Sequence, residues 1–229
     1  MMFSIVHPTR WRPHVLAGVY AMWCDRAEDP HRAEYVWSPA EDDQETIDAI
    51  AAIDGPIPQR VVSGPHDGGV VLPTNRGVYA ARGNIIIATA DDMEPPQGWD
   101  RLILERIPNI NAPAMLAVGD GGNGTASQYT THPIATRAWV ELAGYLFYPD
   151  YLSWYCDNDI TAKARHDGTI INAWDLTFLH RWGPASGFHQ DRTYRSENQP
   201  RAAEIGERVF AERTAAGFPD EPDRWGYCS

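Results

Sequence analysis

The sequence predicts an α/β fold in which a mainly parallel central sheet carries helices on both faces. Strand-like and helix-like segments alternate through the first half of the chain, which is typical of parallel strands joined by helical crossovers. The run Ile85-Ile86-Ile87 is β-branched and apolar throughout, as in a strand that is covered on both faces. The length of 229 residues suits one large domain of this class.

The elements of the first half follow from local signals. A first strand is expected over residues 3–7, followed by the turn Pro8-Thr9-Arg10. Pro13 suits the first turn of a helix, whose apolar positions recur at helical spacing from Val15 to Trp23. The next predicted elements are a strand over 34–38, a helix through Ile47 and Ile50, a strand over 59–63, and a short helix over 75–82 that stops at Gly83.

The second half is less regular. Trp99, Leu102, Ile103 and Ile107 predict an amphipathic helix. The expected elements after it are a strand over 114–118, a flexible loop over 119–128, helices over 136–143 and 150–166, a strand over 169–173, an extended piece over 176–179, an irregular polar tail over 183–199 and a surface helix over 202–216.

Composition excludes several classes of protein. The net charge of -12 argues against a protein that holds nucleic acid mainly through its phosphates. Cys24, Cys156 and Cys228 are widely spaced, which argues against a disulfide framework or a zinc cluster and favours a reducing, cytoplasmic location. The first ten residues lack the apolar run of a signal peptide, and no stretch is apolar enough to span a bilayer.

Two acidic residues stand at the end of the isoleucine-rich strand. Asp91 and Asp92 follow it, and Pro95-Pro96 prevents further strand pairing. The carboxyl ends of strands in open α/β sheets are where ligands bind. Because adjacent carboxylates repel each other, a divalent cation that also contacts phosphates is favoured over the alternative, an acidic solvated turn.

A second acidic cluster is Asp157-Asn158-Asp159. It suits the first turn of a helix, where the helix dipole favours carboxylates. It also suits a general base, because Trp154, Tyr155 and Cys156 precede it and would partly desolvate a carboxylate. Taken alone, His180 is better explained as a core histidine.

Six short segments occur in a fixed order along residues 3–182. Taken together, they resemble the inverting nucleotide-sugar glycosyltransferases of the GT-A fold, of the large family-2 type. Ala90 stands where that family has the first aspartate of its Asp-x-Asp motif, and Cys156 stands where it has a glutamate. The segments are Val6-His7-Pro8-Thr9-Arg10, Glu41-Asp42-Asp43, the run from Asn75 to Ile86, Ala90-Asp91-Asp92, Cys156-Asp157-Asn158-Asp159 and Phe178-Leu179-His180.

The resemblance implies roles for individual residues. It makes Asp157 the catalytic base and assigns Mn²⁺ or Mg²⁺ to Asp92, Asp91 and His180. The implied donor-binding residues are Pro8, Thr9, Arg10, Asp42, Asp43, Asn75, Arg82 and Asp91. The candidate acceptor-binding residues are Asp120, Trp139, Trp154, Asp159 and Trp182.

The expected organisation is a catalytic domain over 1–182, with a donor-binding half over about 1–93 and an acceptor-binding half over 94–182. A C-terminal extension would occupy 183–229. The expected activity is a soluble, metal-dependent transfer of sugar, with inversion, from a nucleotide-diphosphate sugar to an acceptor hydroxyl. A UDP-sugar is the favoured donor. The acceptor is left open among a glycan, a protein, a lipid and a hydroxylated nucleic-acid base. The sequence does not indicate the oligomeric state.

Three other functions are less well supported by the sequence. A nucleotidyltransferase that forms sugar nucleotides needs a glycine-rich basic segment after the first strand, and here no glycine occurs before Gly18. A metal-dependent hydrolase is disfavoured because the eight histidines form no HxH or HExxH pair. A non-catalytic carbohydrate-binding module rich in tryptophan would bind sugar without needing a metal.

Overall fold

A computed structural model describes residues 1–122, 128–181 and 190–222. Within these residues, strands and helices alternate as the sequence predicts for most of the chain. The strands are β1 (Phe3–Thr9), β2 (Ala33–Pro39), β3 (Gln59–Val61), β4 (Ile85–Ala88), β5 (Met93–Glu94), β6 (Met115–Gly119), β7 (Ile134–Thr136), β8 (Ile170–Thr177) and β9 (Leu179–His180). The helices are α1 (Leu16–Asp25), α2 (Gln44–Ala51), α3 (Val71–Ala80), α4 (Trp99–Arg106), α5 (Arg137–Ala143), α6 (Cys156–His166), α7 (Arg192–Glu197) and α8 (Pro200–Ala216).

The central sheet has seven strands in the order β3-β2-β1-β4-β7-β6-β8. β1 pairs in parallel with β2 and β4, β2 with β3, and β6 with β8. β7 alone among these seven strands runs antiparallel, to both β4 and β6. The predicted α/β fold with a mainly parallel sheet is therefore confirmed. A separate two-stranded sheet joins β5 to β9.

Side chains alternate between two apolar layers along the central strands. In β4, Ile85 and Ile87 join one core with α1, α2 and α4, while Ile86 and Ala88 join the other with α3, α5, α6 and α8. Both faces of this strand are fully covered, which is why its sequence is continuously apolar. The close packing requires a glycine in α3, because a Cβ at Gly77 would lie 2.5 Å from Val6 Cγ1.

Helices α1, α3, α6 and α7 differ from the sequence-based expectation. α1 begins at Leu16, so Pro13 lies before the helix and not in its first turn. α3 begins at Val71, so it includes Pro73 in its first turn, where the missing N–H of proline costs nothing. α6 begins at Cys156 and not at residue 150, because Tyr155 takes a left-handed conformation with φ of 72°. Residues 192–197, expected to be irregular, form α7, with the Asp191 side chain accepting a hydrogen bond from the Tyr194 N–H.

The C-terminal helix α8 lies at the surface, as expected, and packs one face against the second core. Val209 is buried there, and Arg213 Nε donates to Asp159 Oδ2 of α6 at 2.6 Å. A Cβ at Gly206 would lie 2.4 Å from the Trp154 carbonyl oxygen, so the helix is seated closely on the chain before α6. None of the helices within the described residues is long and apolar enough to cross a bilayer.

Candidate active site

The pairing of β5 with β9 brings together residues that are far apart in the sequence. Asp92 directly precedes β5, and Met93 lies opposite His180 in the two-stranded sheet. The Arg181 N–H donates to the Asp92 carbonyl oxygen at 2.9 Å, and the His180 N–H donates to that of Asp120 at 2.8 Å. As a result His180 Nε2 lies 3.4 Å from Asp92 Oδ1, at the carboxyl edge of the parallel strands.

Asp92 and His180 form a plausible pair of metal ligands by their chemistry. Their separation exceeds that of a strong charge-assisted hydrogen bond, and both side chains keep some exposure, 15% and 21%. Carboxylate oxygen suits Mg²⁺ and Mn²⁺, and imidazole nitrogen suits the transition metals. In the part of the chain that the structure describes, no group of three or more His, Cys, Asp or Glu side chains can hold a metal. Substrate oxygens and water would have to fill the remaining positions.

Asp91 has a different environment from its neighbour. Its Oδ1 accepts from Thr9 Oγ1 and lies 2.9 Å from His7 Nε2, and its Oδ2 accepts from Arg12 Nη1 at 3.0 Å. Burial acts to raise the pKa of this carboxyl, but His7, Arg12 and Thr9 outweigh it and hold the pKa below its ordinary value. With both oxygens engaged, Asp91 is poorly placed to bind a metal, contrary to its predicted metal role.

Arg12 connects Asp91 to the C-terminal segment. Its Nε donates to Asp191 Oδ2 at 2.8 Å, and Nη2 donates to Asp191 Oδ1 at 3.3 Å. Thr193 Oγ1 donates to the Arg10 carbonyl oxygen, so α7 is held against the end of β1. Sequence reasoning missed this contact because it treated residues 183–199 as an irregular tail.

Glu197, at the end of α7, is a further acidic residue of this region. Burial raises the pKa of the Glu197 carboxyl to about 7. The positive charge of Arg12 acts to lower this pKa, and the negative charges of Asp91, Asp92 and Asp191 act to raise it. The Ser153 hydroxyl donates to the Glu197 carbonyl oxygen at 2.6 Å and fixes the helix end. The site is therefore strongly acidic, which would favour a bound cation. No motif in the sequence indicated Glu197.

Asp157 lies in the first turn of α6. Its side chain is partly exposed, and Oδ1 accepts from the Asn158 N–H at 2.9 Å. Burial raises the pKa of the Asp157 carboxyl above its ordinary value. The charge of His180 acts to lower this pKa, and the charge of Asp120 acts to raise it. Asp157 is therefore within electrostatic range of both His180 and Asp120. Asp120 directly follows β6, and its Oδ1 accepts from the Gly122 N–H.

His132 is a neighbour of His180 that the sequence did not single out. The two rings meet edge to face, with centroids 4.6 Å apart and planes at 81°. His132 is only 8% exposed, and its Nε2 has no hydrogen-bond partner among the described residues. Burial, together with the charge of His180, holds the pKa of His132 well below its ordinary value, so the ring is neutral.

The turn after β1 lies beside the acidic loop before α2. Arg10 Nη2 donates to Asp42 Oδ2 at 2.6 Å, and Nη1 lies 2.9 Å from His66 Nδ1. Asp43 is buried, and its carboxylate accepts from the Thr46 and Trp11 N–H groups. Of the two predicted donor-binding acids in this loop, only Asp42 faces solvent. Pro8 is buried within β1 beside Thr9.

Four predicted site residues lie away from this edge or inside the core. Arg82 is at the opposite end of the sheet, since its N–H donates to Glu34 Oε1 near the start of β2. Asn75 is buried and bonds the backbone of Leu146 and Phe147. Trp139 is 1% exposed, so it offers no stacking surface.

Asp159 is the fourth of these residues, and it is fully buried. It binds Arg213 and the Tyr151 hydroxyl. These placements argue against donor-binding roles for Arg82 and Asn75 and against acceptor-binding roles for Trp139 and Asp159. Trp154 is 47% exposed and stays a candidate. Trp182 and positions 123–127 of the predicted acceptor loop lie outside the described residues.

Solved structures share this fold at low sequence identity. Staphylococcus aureus TarS, solved with UDP, matches with a TM-score of 0.65 and 15% identity over 95% of this chain and 72% of that chain. The mannosyltransferase PcManGT from Pyrobaculum calidifontis, solved with GDP-Man and Mn²⁺, matches with a TM-score of 0.63 and 14% identity, over 93% of this chain and 75% of that chain.

Glucosyl-3-phosphoglycerate synthase from Mycobacterium tuberculosis is a third similar structure. Solved with Mn²⁺, UDP-Glc and phosphoglyceric acid, it matches with a TM-score of 0.56 and 14% identity, over 82% of this chain and 74% of that chain. No protein-family model and no curated protein sequence matches this chain. The architecture of the chain is thus that of the GT-A-like nucleotide-sugar glycosyltransferases, as the sequence predicted.

Proposed function

We propose that this protein is a metal-dependent, inverting glycosyltransferase that moves a sugar from a nucleotide-diphosphate sugar, preferably a UDP-sugar, to an acceptor hydroxyl. The observation that carries the proposal is the approach of His180 Nε2 to Asp92 Oδ1, 3.4 Å apart at the carboxyl edge of the sheet, with Asp157 within electrostatic range of His180. In an open α/β sheet this edge is where ligands bind. The fold shared with proteins solved with UDP, GDP-Man and UDP-Glc supports the class of donor.

Asp92 and His180 would hold Mn²⁺ or Mg²⁺ together with the donor diphosphate. Such a cation supplies Lewis-acid stabilisation of the departing diphosphate, worth several kcal/mol. Asp91 plays a different part in this scheme: engaged by His7, Thr9 and Arg12, it fixes the end of β1 beside the strand end that carries Asp92. The nucleoside would lie beyond the carboxyl end of β1, beside Arg10, with Asp42 at its rim; Pro8 and Thr9, predicted as part of a turn, are buried in β1 and would support this position from beneath.

Asp157 is proposed to accept the proton of the acceptor hydroxyl as that oxygen attacks the anomeric carbon. A base works best when its pKa approaches the working pH, and burial shifts the pKa of Asp157 in that direction. Positioned proton transfer of this kind contributes about 10²–10⁴-fold to the rate. One displacement with attack on the face opposite the leaving group inverts the anomeric centre.

Asp120 and Trp154 remain the proposed acceptor-side residues, Asp120 by its place at the end of β6 and Trp154 by its exposure. The chemistry of an attacking hydroxyl is common to glycan, protein, lipid and hydroxylated nucleobase acceptors. Assignment of the cytoplasm as the site of action is part of the same proposal and rests on the scarcity and wide spacing of cysteine.

The test is a thermal-shift screen of UDP-, GDP-, TDP- and CDP-sugars with and without Mn²⁺. A donor at 100 times its Kd stabilises the fold by about 2.7 kcal/mol, and we expect this for one nucleotide only and only with the metal. Release of nucleoside diphosphate then reports turnover, whereas release of pyrophosphate would indicate a nucleotidyltransferase. A sugar-dependent shift without any metal requirement would instead indicate a carbohydrate-binding module.

Asp157→Asn separates binding from chemistry. The variant should keep the donor-dependent thermal shift and lose transfer by about 10²-fold or more. Glu141→Gln, an exposed change on α5, is the matched control and should keep both. Transfer by Asp157→Asn at close to the rate of the unmodified protein would show that the base lies elsewhere.

A further inference from the structure

The segment of residues 130–132 contacts both halves of the proposed site. On one side, the Thr130 N–H donates to Thr161 Oγ1 of α6 at 3.0 Å, and Thr161 Oγ1 donates to the Asp157 carbonyl oxygen at 2.7 Å. On the other side, the His132 ring lies against His180 with a centroid distance of 4.6 Å. One short, buried segment therefore lies between the helix that carries Asp157 and the strand that carries His180.

The His132 ring packs against that of His180. Its Nε2 is buried without a hydrogen-bond partner among the described residues, an arrangement that costs free energy unless another interaction compensates for it. The edge-to-face contact with His180 is such an interaction, since aromatic pairs prefer this geometry.

We propose that His132 is a positioning residue, which holds the His180 ring in the plane that directs Nε2 towards Asp92. Through its segment, His132 also links His180 to α6, the helix that carries Asp157. The inference rests on the proposed function, since it assigns His132 a part in forming the cation site. Groups that orient a metal ligand commonly change metal affinity by about 10–100-fold when removed. His132 achieves this through ring packing, so an aromatic substitute should retain the effect.

The test measures Mn²⁺ affinity directly, without turnover, by calorimetric or electron paramagnetic resonance titration in the presence of UDP. His132→Ala should weaken Mn²⁺ binding about 10-fold or more, and His132→Phe should bind within about threefold of the unmodified protein because its ring keeps the contact with His180. His31→Ala, an exposed histidine in the turn before β2, is the control and should change nothing. Circular dichroism melts establish that each variant is folded.

A double-mutant cycle decides whether His132 acts through His180. On a His180→Ala background, His132→Ala should cause no additional loss of Mn²⁺ affinity. Equal losses on both backgrounds, or an affinity of His132→Ala within twofold of the unmodified protein, would overturn the inference. If His180→Ala itself leaves Mn²⁺ binding unchanged, the proposed metal site fails, and that outcome is distinct from failure of His132 alone.

Discussion

Arg12 and Asp91 form a buried ion pair in which Nη1 lies 3.0 Å from Oδ2 and neither side chain is more than 8% exposed. The same guanidinium donates two further hydrogen bonds to Asp191. The Arg12 side chain, which follows β1, therefore links two other parts of the fold: the acidic pair after β4, through Asp91, and the C-terminal segment, through Asp191. The arrangement separates the two adjacent aspartates into a structural carboxylate, Asp91, and an accessible one, Asp92.

Removing the cation of this pair should destabilise the protein strongly. Arg12→Met keeps the length of the side chain but leaves Asp91 buried without its main counter-ion, and breaking a buried pair in this way costs about 3–5 kcal/mol. Urea denaturation measures the difference. Arg101→Met is the control, since Arg101 pairs with Glu28 and Glu105 at the surface, where solvent screens the charges, and its loss should change the stability little. Equal effects of the two changes would contradict the structural role of Arg12.

The adjacent aspartates should respond differently to the same substitution. Asp91→Asn weakens hydrogen bonds to charged partners and should lower the free energy of unfolding by about 1.5–3 kcal/mol without any ligand. Asp92→Asn should leave that free energy within about 0.5 kcal/mol and abolish the thermal shift produced by Mn²⁺ with UDP. Thermal melts of both variants, with and without Mn²⁺ and UDP, measure the stability of each variant and its ligand-induced shift. A ligand-induced shift that survives in Asp92→Asn would remove this residue from the metal site.

The sequence predicted the fold well because its strongest signals are local. The isoleucine run marks a strand covered on both faces, and the following acids and prolines mark its end. Helices such as α1 and α4 followed from apolar spacing alone. The three-residue strand β7 was missed because Ile134–Thr136 is too short to show a period before the helix that follows it.

The contacts of the site were harder to predict because they depend on tertiary packing. Asp91 and Asp92 have the same chemistry and adjacent positions, yet only the fold shows that Arg12 and His7 engage one of them. His132 and Glu197 carry no motif, and they enter the site through a connecting loop and through the C-terminal segment. Asp159 occupies an aspartate position of the resembled motif, but its place on α6 directs its side chain into the core, where it binds Arg213.

The ion pair between α6 and α8 should make the C-terminal helix essential for stability. Arg213 donates to Asp159 and to the Tyr145 hydroxyl and lies over the Tyr148 ring. Arg213→Met leaves Asp159 buried without its cation, at a cost of about 3–5 kcal/mol. Arg208→Met on the exposed face of α8 breaks only the pair with Glu212 and should cost about 0.5 kcal/mol or less.

Deleting α8 makes the same point at the level of the whole chain. A protein that ends at residue 199 would expose the apolar surface that Val209 covers, and we expect it to be unfolded or aggregated in size-exclusion chromatography and circular dichroism. A folded, monomeric product of this deletion would show that the rest of the fold is independent of α8.

The stability contributed by Asp167 should depend on pH in a defined direction. Burial acts to raise the pKa of this carboxyl, but hydrogen bonds from Lys163 Nζ at 2.8 Å and from His166 hold it below its ordinary value. A carboxyl whose pKa is lowered on folding stabilises the protein fully above its unfolded pKa of about 3.9, and loses that effect as the pH falls through the folded value. Asp167→Asn should therefore be less stable than the unmodified protein in urea at pH 6, and the difference should shrink as the pH falls through the folded pKa of Asp167. Asp48→Asn on the exposed face of α2 is the control, and a difference for Asp167→Asn that grows as the solution is acidified would contradict the assignment.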